Sequence, residues 1–250
     1  MDSAITEDRL LGGRVQLIQP ARGYRAGIDP VLLAAAVPAA PGDRVLDLGA
    51  GAGAAGLCLA ARVTGVAVVG LEADPEMVRL ASAGAERSKL DSRVLYCAGD
   101  ILDAPVVLKP GSYDHVMANP PFIAPGAGRP PEHAGKAAAT VESSATLDDW
   151  IRVAAVMVRD AGTVTLIHRA DRLDAVLASL TGRLGEITIY PLWPDASRPA
   201  KRVIVAARKG SGAPLRLLRG LVLHAEGAFT AEAEAVLRHA RHLPLANSRC

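Results

Sequence analysis

The chain has 250 residues, 50% hydrophobic, 22% charged and only 3% aromatic, with a formal net charge of +2, which fits a globular protein and excludes both a disordered chain and an extended aromatic stacking platform. Its longest strongly apolar stretch, Val31 to Val37, is far short of a membrane span and Met1-Asp2-Ser3 carries no basic leader, so a cytoplasmic protein with no membrane partner is expected. Three widely spaced cysteines, Cys58, Cys97 and Cys250, and scattered histidines, with His239/His242 read as a solvated helix end, suggest neither a disulfide framework nor a metal site.

Arg14-Val15-Gln16-Leu17-Ile18 after Gly12-Gly13 alternates in polarity and reads as a short strand, a candidate hairpin before the main fold. Asp29-Pro30 then opens a helix, with Asp29 as N-cap and Pro30 at the first helical position. From Asp43 the pattern is strand (Arg44 to Leu48), glycine-rich turn (Gly49 to Gly53) and helix (Ala54 to Val63). A second strand, Val66 to Leu71, ends at Glu72, and a helix follows Asp74-Pro75. A third strand, Arg93 to Cys97, ends at Gly99-Asp100, and a fourth runs from Tyr113 to Asn119. Residues 124–137, rich in Gly and Pro, read as a mobile loop beside the site. Beyond it come a helix at Leu147 to Arg159, a strand at Thr163 to Ile167, a helix at Arg172 to Leu180, strands at Glu186 to Tyr190 and Arg202 to Ala207, and a closing helix at Thr230 to His242. This alternation implies an α/β fold of one domain over residues 1–250: a doubly wound, mostly parallel sheet with helices on both faces and residues 1–40 as a hairpin and helix extension. Ligands lie beyond the carboxyl ends of such strands, where Gly49, Glu72, Asp100 and Asn119 fall.

Asn119-Pro120-Pro121-Phe122 closes the fourth strand. The prolines fix their own φ and push Asn119 out of the helical region, giving it nearly frozen geometry. An exocyclic amine conjugated to a ring is a poor nucleophile because its lone pair is delocalised. The Asn119 amide oxygen and the Pro120 carbonyl can each accept one of its hydrogens and orient the nitrogen, while Phe122 offers a face for a planar base. The alternative is an ordinary turn closing a strand.

Gly51-Ala52-Gly53-Ala54-Ala55-Gly56 also fits a dinucleotide fingerprint with Glu72 as the ribose acceptor, so an NAD-dependent oxidoreductase stands as one reading. Asp47, Asp100 and the Asn-Pro-Pro-Phe turn favour S-adenosyl-L-methionine, because hydride transfer does not require an amine-orienting asparagine. Asp47 to Gly53 together with Asn119 to Phe122 resemble the Rossmann-like class I amino-methyltransferases. With Gly12-Gly13-Arg14, Gly23 to Asp29, Leu223-His224 and Phe229 to Glu234 added, nearly the whole chain is similar to the bacterial tRNA(Val) adenine-37 N6-methyltransferase family. That resemblance implies Gly27 and Asp29 near the methionine end of the cofactor, Asp47 and Gly49 around its amino acid portion with Gly51 and Gly53 in the same loop, Glu72 on the ribose, Asp100 and Ile101 at the adenine, and Asn119, Pro120 and Phe122 as the catalytic turn. Phe122 stands where the family often has tyrosine.

The reading that follows is an S-adenosyl-L-methionine-dependent N6-adenine methyltransferase acting on RNA, with tRNA as the implied substrate and S-adenosyl-L-homocysteine as product. Methylation of a protein glutamine is the same-chemistry alternative. Arg198, Lys201, Arg202, Arg208, Lys209, Arg216 and Arg219 occur with no acidic residue between Asp195 and Glu226, either as a solvated face or as a phosphate track that Arg129 and Lys136 would complete.

Overall fold

A computed structural model describes residues 4–23, 25–103, 108–121 and 145–245. The chain opens with an antiparallel hairpin, β1 (Ile5–Leu10) and β2 (Val15–Pro20), and continues through α1 (Asp29–Ala36), β3 (Arg44–Leu48), α2 (Ala54–Arg62), β4 (Ala67–Glu72), α3 (Pro75–Arg87), β5 (Val94–Ala98) and β6 (Tyr113–Ala118). After α4 (Leu147–Met157) come β7 (Val158–Arg169), α5 (Leu173–Leu180), β8 (Gly185–Trp193), β9 (Arg202–Arg208), four two-residue strands, β10 (Arg216–Leu217), β11 (Leu221–Val222), β12 (His224–Ala225) and β13 (Ala228–Phe229), and α6 (Ala231–Leu237).

The main sheet runs β10-β8-β9-β7-β6-β3-β4-β5. Every neighbouring pair is parallel except β7/β9 and β8/β9, because β9 runs against both of its neighbours. The central strands are near-continuous apolar runs, as strands covered on both faces must be: Val45, Leu46 and Leu48 of β3 are wholly buried, as are Val116 and Met117 of β6. One core cluster joins α1, α2 and α6 to the sheet and the hairpin. A second joins α4 and α5 to the opposite face. The β1/β2 hairpin lies against α3, with the Gln16 N–H donating to Ser88 Oγ at 2.9 Å.

Two expectations are corrected. Asp29 is not an N-cap: it is the first residue of α1, makes no capping bond, and its Oδ2 accepts from Arg202 Nε at 2.9 Å. The closing helix ends at Leu237 instead of His242, because tertiary bonds compete with its continuation: Arg62 takes the Arg241 and Val236 carbonyls at 2.7 Å each, and the Leu243 N–H donates to Ala35 O at 2.8 Å. The expected hairpin before the main fold is present as β1 and β2, whereas the four short strands from Arg216 to Phe229 were not expected, being too short to show a periodicity. Among the described residues no helix is long and apolar enough to cross a membrane.

Candidate active site

The carboxyl ends of β3, β4 and β6 open onto a cavity of about 360 Å³, within the size range of small-molecule sites. Its floor is the turn after β3. Gly49 has φ +68°, and its N–H and that of Ala50 both donate to Leu71 O, at 2.8 and 3.0 Å. A Cβ on Gly49 would lie 2.3 Å from Cη2 of Trp150, which reaches over from α4. Gly53, at φ +84°, precedes α2, and a Cβ there would lie 2.5 Å from Tyr96 Oη. Tyr96, on β5, passes its ring beneath Gly70 and donates its hydroxyl to Gly53 O at 3.0 Å, so the absence of side chains on β4 and on the turn makes room for a phenol strut.

Two carboxylates shape the electrostatics. Asp47 is 2% exposed and accepts the Gly56 N–H at 3.1 Å. Burial is the main cause that pushes its carboxyl up to about 7. The Gly56 bond opposes that shift and Glu72 adds to it. A buried carboxyl in that state is matched to a cationic ligand group, which would restore its charge. Glu72 is held by backbone donors, Oε2 accepting from Gly51 N–H at 2.8 Å and Oε1 from Asp74 N–H at 3.0 Å. Each oxygen keeps a lone pair for a further donor such as a hydroxyl.

Asp47, Gly49, Gly51, Glu72, Asp100, Ile101 and Asn119 all line the cavity. Gly27, Asp29, Gly53 and Pro120 do not. Gly27 is exposed, while its near neighbours Ala26 and Pro30 line the wall. Asn119 Oδ1 is buried and has no hydrogen-bond partner. Phe122, Arg129, Lys136 and the 124–137 stretch lie outside the described residues.

The basic block does not form a continuous track. β9 spans seven residues, so Arg202 and Arg208 sit roughly 20 Å apart at opposite ends of the sheet. Arg198 Nε donates to Asp195 Oδ2, Arg202 to Asp29, Arg208 Nε to Ala161 O, Lys209 Nζ to the Ala155 and Val158 carbonyls at the end of α4 and the start of β7, and Arg216 to Thr188 Oγ1. Lys201 is exposed just before β9, beside the carboxyl end of β7, and Arg22 is exposed on the cavity rim.

Three side chains at the site carried no motif: Trp150, Tyr96 and His168. In so aromatic-poor a chain each ring invites attention, and that was the available signal for the first two. His168, at the end of β7, is 1% exposed and is lowered to about 4, first by burial and then by Arg172, against the Pro121 and Arg169 backbones, which favour its charged form. It is therefore a neutral ring behind the Asn-Pro-Pro turn. Among the described residues no cluster of His, Cys, Asp and Glu could hold a metal ion.

A family described as the methyltransferase small domain matches residues 26–172. A tRNA1(Val) (adenine(37)-N6)-methyltransferase of Porphyromonas gingivalis is 32% identical over 190 residues, covering 71% of this chain and 74% of the relative. The enzyme of that description from Bacteroides thetaiotaomicron is 26% identical over 219 residues, covering 87% and 84%. Among solved structures, a predicted O-methyltransferase, Atu636 from Agrobacterium tumefaciens, matches with a TM-score of 0.73 at 28% identity, over 88% of this chain and 99% of that one. Geranyl diphosphate C-methyltransferase from Streptomyces coelicolor, solved with S-adenosyl-L-homocysteine, shares the fold with a TM-score of 0.53 at 16% identity, over 72% of this chain and 74% of that one.

Proposed function

The chain belongs to the methyltransferase small domain family, among the tRNA1(Val) (adenine(37)-N6)-methyltransferases, and from that premise we propose that it methylates the N6 amine of an adenine in tRNA, with S-adenosyl-L-methionine as donor. The glycine turn thus serves this cofactor and not NAD. The residues present fit it: the buried Asp47 carboxyl suits the cofactor's ammonium, Glu72 its ribose hydroxyls, and Asp100 with Ile101 its adenine. When bound, the cofactor supplies an electrophilic methyl group on a sulfonium.

The observation that carries the reading is Asn119 Oδ1, buried at the cavity wall without a partner. Unpartnered buried acceptors are uncommon in folded proteins, and this one stands where an amine hydrogen would satisfy it. Asn119 accepts one N6 hydrogen and the Pro120 carbonyl the other, turning the nitrogen lone pair toward the methyl. An amide oxygen remains neutral, so Asn119 orients the amine without taking its proton. Holding nucleophile and methyl in line is worth about 7 to 11 kcal/mol in well-oriented reactions, so catalysis here is chiefly positioning. Lys201 and Arg22, two exposed cations at the cofactor edge, are the phosphate-binding groups this reading favours.

Single-turnover methylation of an unmodified tRNA transcript, followed by mass spectrometry of its nucleosides, tests the proposal. N6-methyladenosine is expected. Asn119→Ala should cut the rate by about two orders of magnitude or more while leaving cofactor affinity nearly unchanged. Normal turnover by that variant would remove Asn119 from the chemistry.

A further inference from the structure

We propose that Trp150 reads the target base: its indole N–H donates a hydrogen bond to the ring nitrogen beside the adenine amine, while Asn119 Oδ1 accepts from the amine itself. The assignment rests on the adenine N6 reading above and names the edge of the base that the site recognises.

Two buried polar atoms at this cavity have no partner. One is Asn119 Oδ1, which only accepts, and the other is Trp150 Nε1, which only donates. Trp150 is 8% exposed, so its N–H has given up hydration without gaining a protein acceptor, an arrangement folded chains rarely keep unless a bound group answers it. Both side chains line the same cavity. The indole is held in place: α4 packs over β6 and β7, the strands beside the Asn-Pro-Pro turn, and the ring tip rests on Gly49, where any side chain would collide with it. The donor is therefore fixed before anything binds.

The base that an amine methyltransferase takes from RNA presents a donor, N6–H, next to an acceptor, N1 on one edge or N7 on the other. An acceptor and a donor on the wall of one cavity can complement that edge, as uracil complements adenine in a duplex. Guanine presents O6 beside N1–H, the reverse order, and is rejected by the same two atoms. α4 packs on β6 and β7, the strands beside the Asn-Pro-Pro turn, and also on β3 and the turn at Ile101–Asp103, so cofactor affinity has to be measured beside the base dependence.

The test uses RNA carrying adenosine, 1-deazaadenosine or 7-deazaadenosine at the methylated position, each offered to the wild-type protein and to Trp150→Phe under single-turnover conditions with saturating S-adenosyl-L-methionine. Wild type should lose roughly tenfold to a hundredfold on one deaza substrate, the value of one good hydrogen bond to a base edge. Trp150→Phe should lose a similar factor on adenosine and show no further loss on that deaza substrate, with its cofactor affinity unchanged. Equal wild-type rates on all three RNAs would overturn the assignment, and this arm needs no variant to fold. A matching loss of cofactor affinity in Trp150→Phe would also overturn it, by assigning the donor to the cofactor. No methylation of adenosine by wild type, with transfer to a glutamine peptide instead, would overturn the proposed function and this inference together.

Discussion

Replacing Asp47 by Asn should stabilise the cofactor-free protein above neutral pH while weakening its hold on S-adenosyl-L-methionine. The Asp47 carboxyl is buried and raised from 3.8 to about 7, chiefly by desolvation. The folded chain therefore holds its proton more tightly than the unfolded chain does. Stability from this group is fully present below about pH 4, falls as pH rises between about 4 and 7, and is wholly lost above that window. The gap between 3.8 and about 7 corresponds to about 4 kcal/mol at ~1.36 kcal/mol per pH unit, an upper bound because water reaches the cavity. Asn keeps an oxygen for the Gly56 N–H and has no proton to lose. Urea unfolding of both proteins without cofactor should show the advantage of the variant growing by more than about 1 kcal/mol from pH 5 to pH 8. Calorimetry at pH 8 should show affinity for S-adenosyl-L-methionine reduced about tenfold or more, since a hydrogen bond to a charged group contributes about 1.5–3 kcal/mol. An advantage of equal size at pH 5 and pH 8, or a variant less stable at pH 8, would refute the reasoning.

Gly49→Ala should cost about 1–3 kcal/mol and displace Trp150, since the new Cβ would fall 2.3 Å from Cη2; thermal unfolding and indole fluorescence report both effects. Tyr96→Phe removes the hydroxyl bond to Gly53 O and should lower stability by about 1 kcal/mol, with weaker cofactor binding by calorimetry as the glycine turn loosens. Lys201→Glu should weaken tRNA binding and flatten the slope of log affinity against log salt by about 0.7–0.9 for each phosphate no longer neutralised, leaving cofactor affinity unchanged in the same preparation. Arg202→Glu should instead impair cofactor binding as well, because Arg202 holds Asp29 at the start of α1.

The central sheet was legible because β3, β4 and β6 are largely buried and appear as near-continuous apolar runs, with glycine or proline close behind their ends. The polar residues ending those runs at the cofactor edge could be placed for the same reason. Asp29 was misread because Asp-Pro before an apolar run is also a capping signal, and its partner Arg202 lies 173 residues away. The basic block could not be resolved into sites, because spacing along the chain says nothing about which end of a strand a charge occupies. β9 carries Arg202 to the cofactor edge and Arg208 to the opposite one. Trp150 and Tyr96 act through glycines they fill against, a complementarity between distant positions that one sequence cannot display.

The antiparallel placement of β9 also bears on how the protein is made. β7 and β8 are finished before residue 202 leaves the ribosome, yet β9 is the strand that separates them. Until it arrives, β7 leaves unpaired the edge from Thr163 to Arg169 that β9 later covers, the kind of surface on which nascent chains associate wrongly. Insertion of β9 closes that edge and, through Arg202, fastens the start of α1, next to the cavity wall at Ala26 and Pro30. A chain cut short before β9 should therefore expose that edge and leave Asp29 without Arg202, so aggregation and weaker S-adenosyl-L-methionine binding are expected although it already contains the glycine turn, Glu72 and the Asn-Pro-Pro motif.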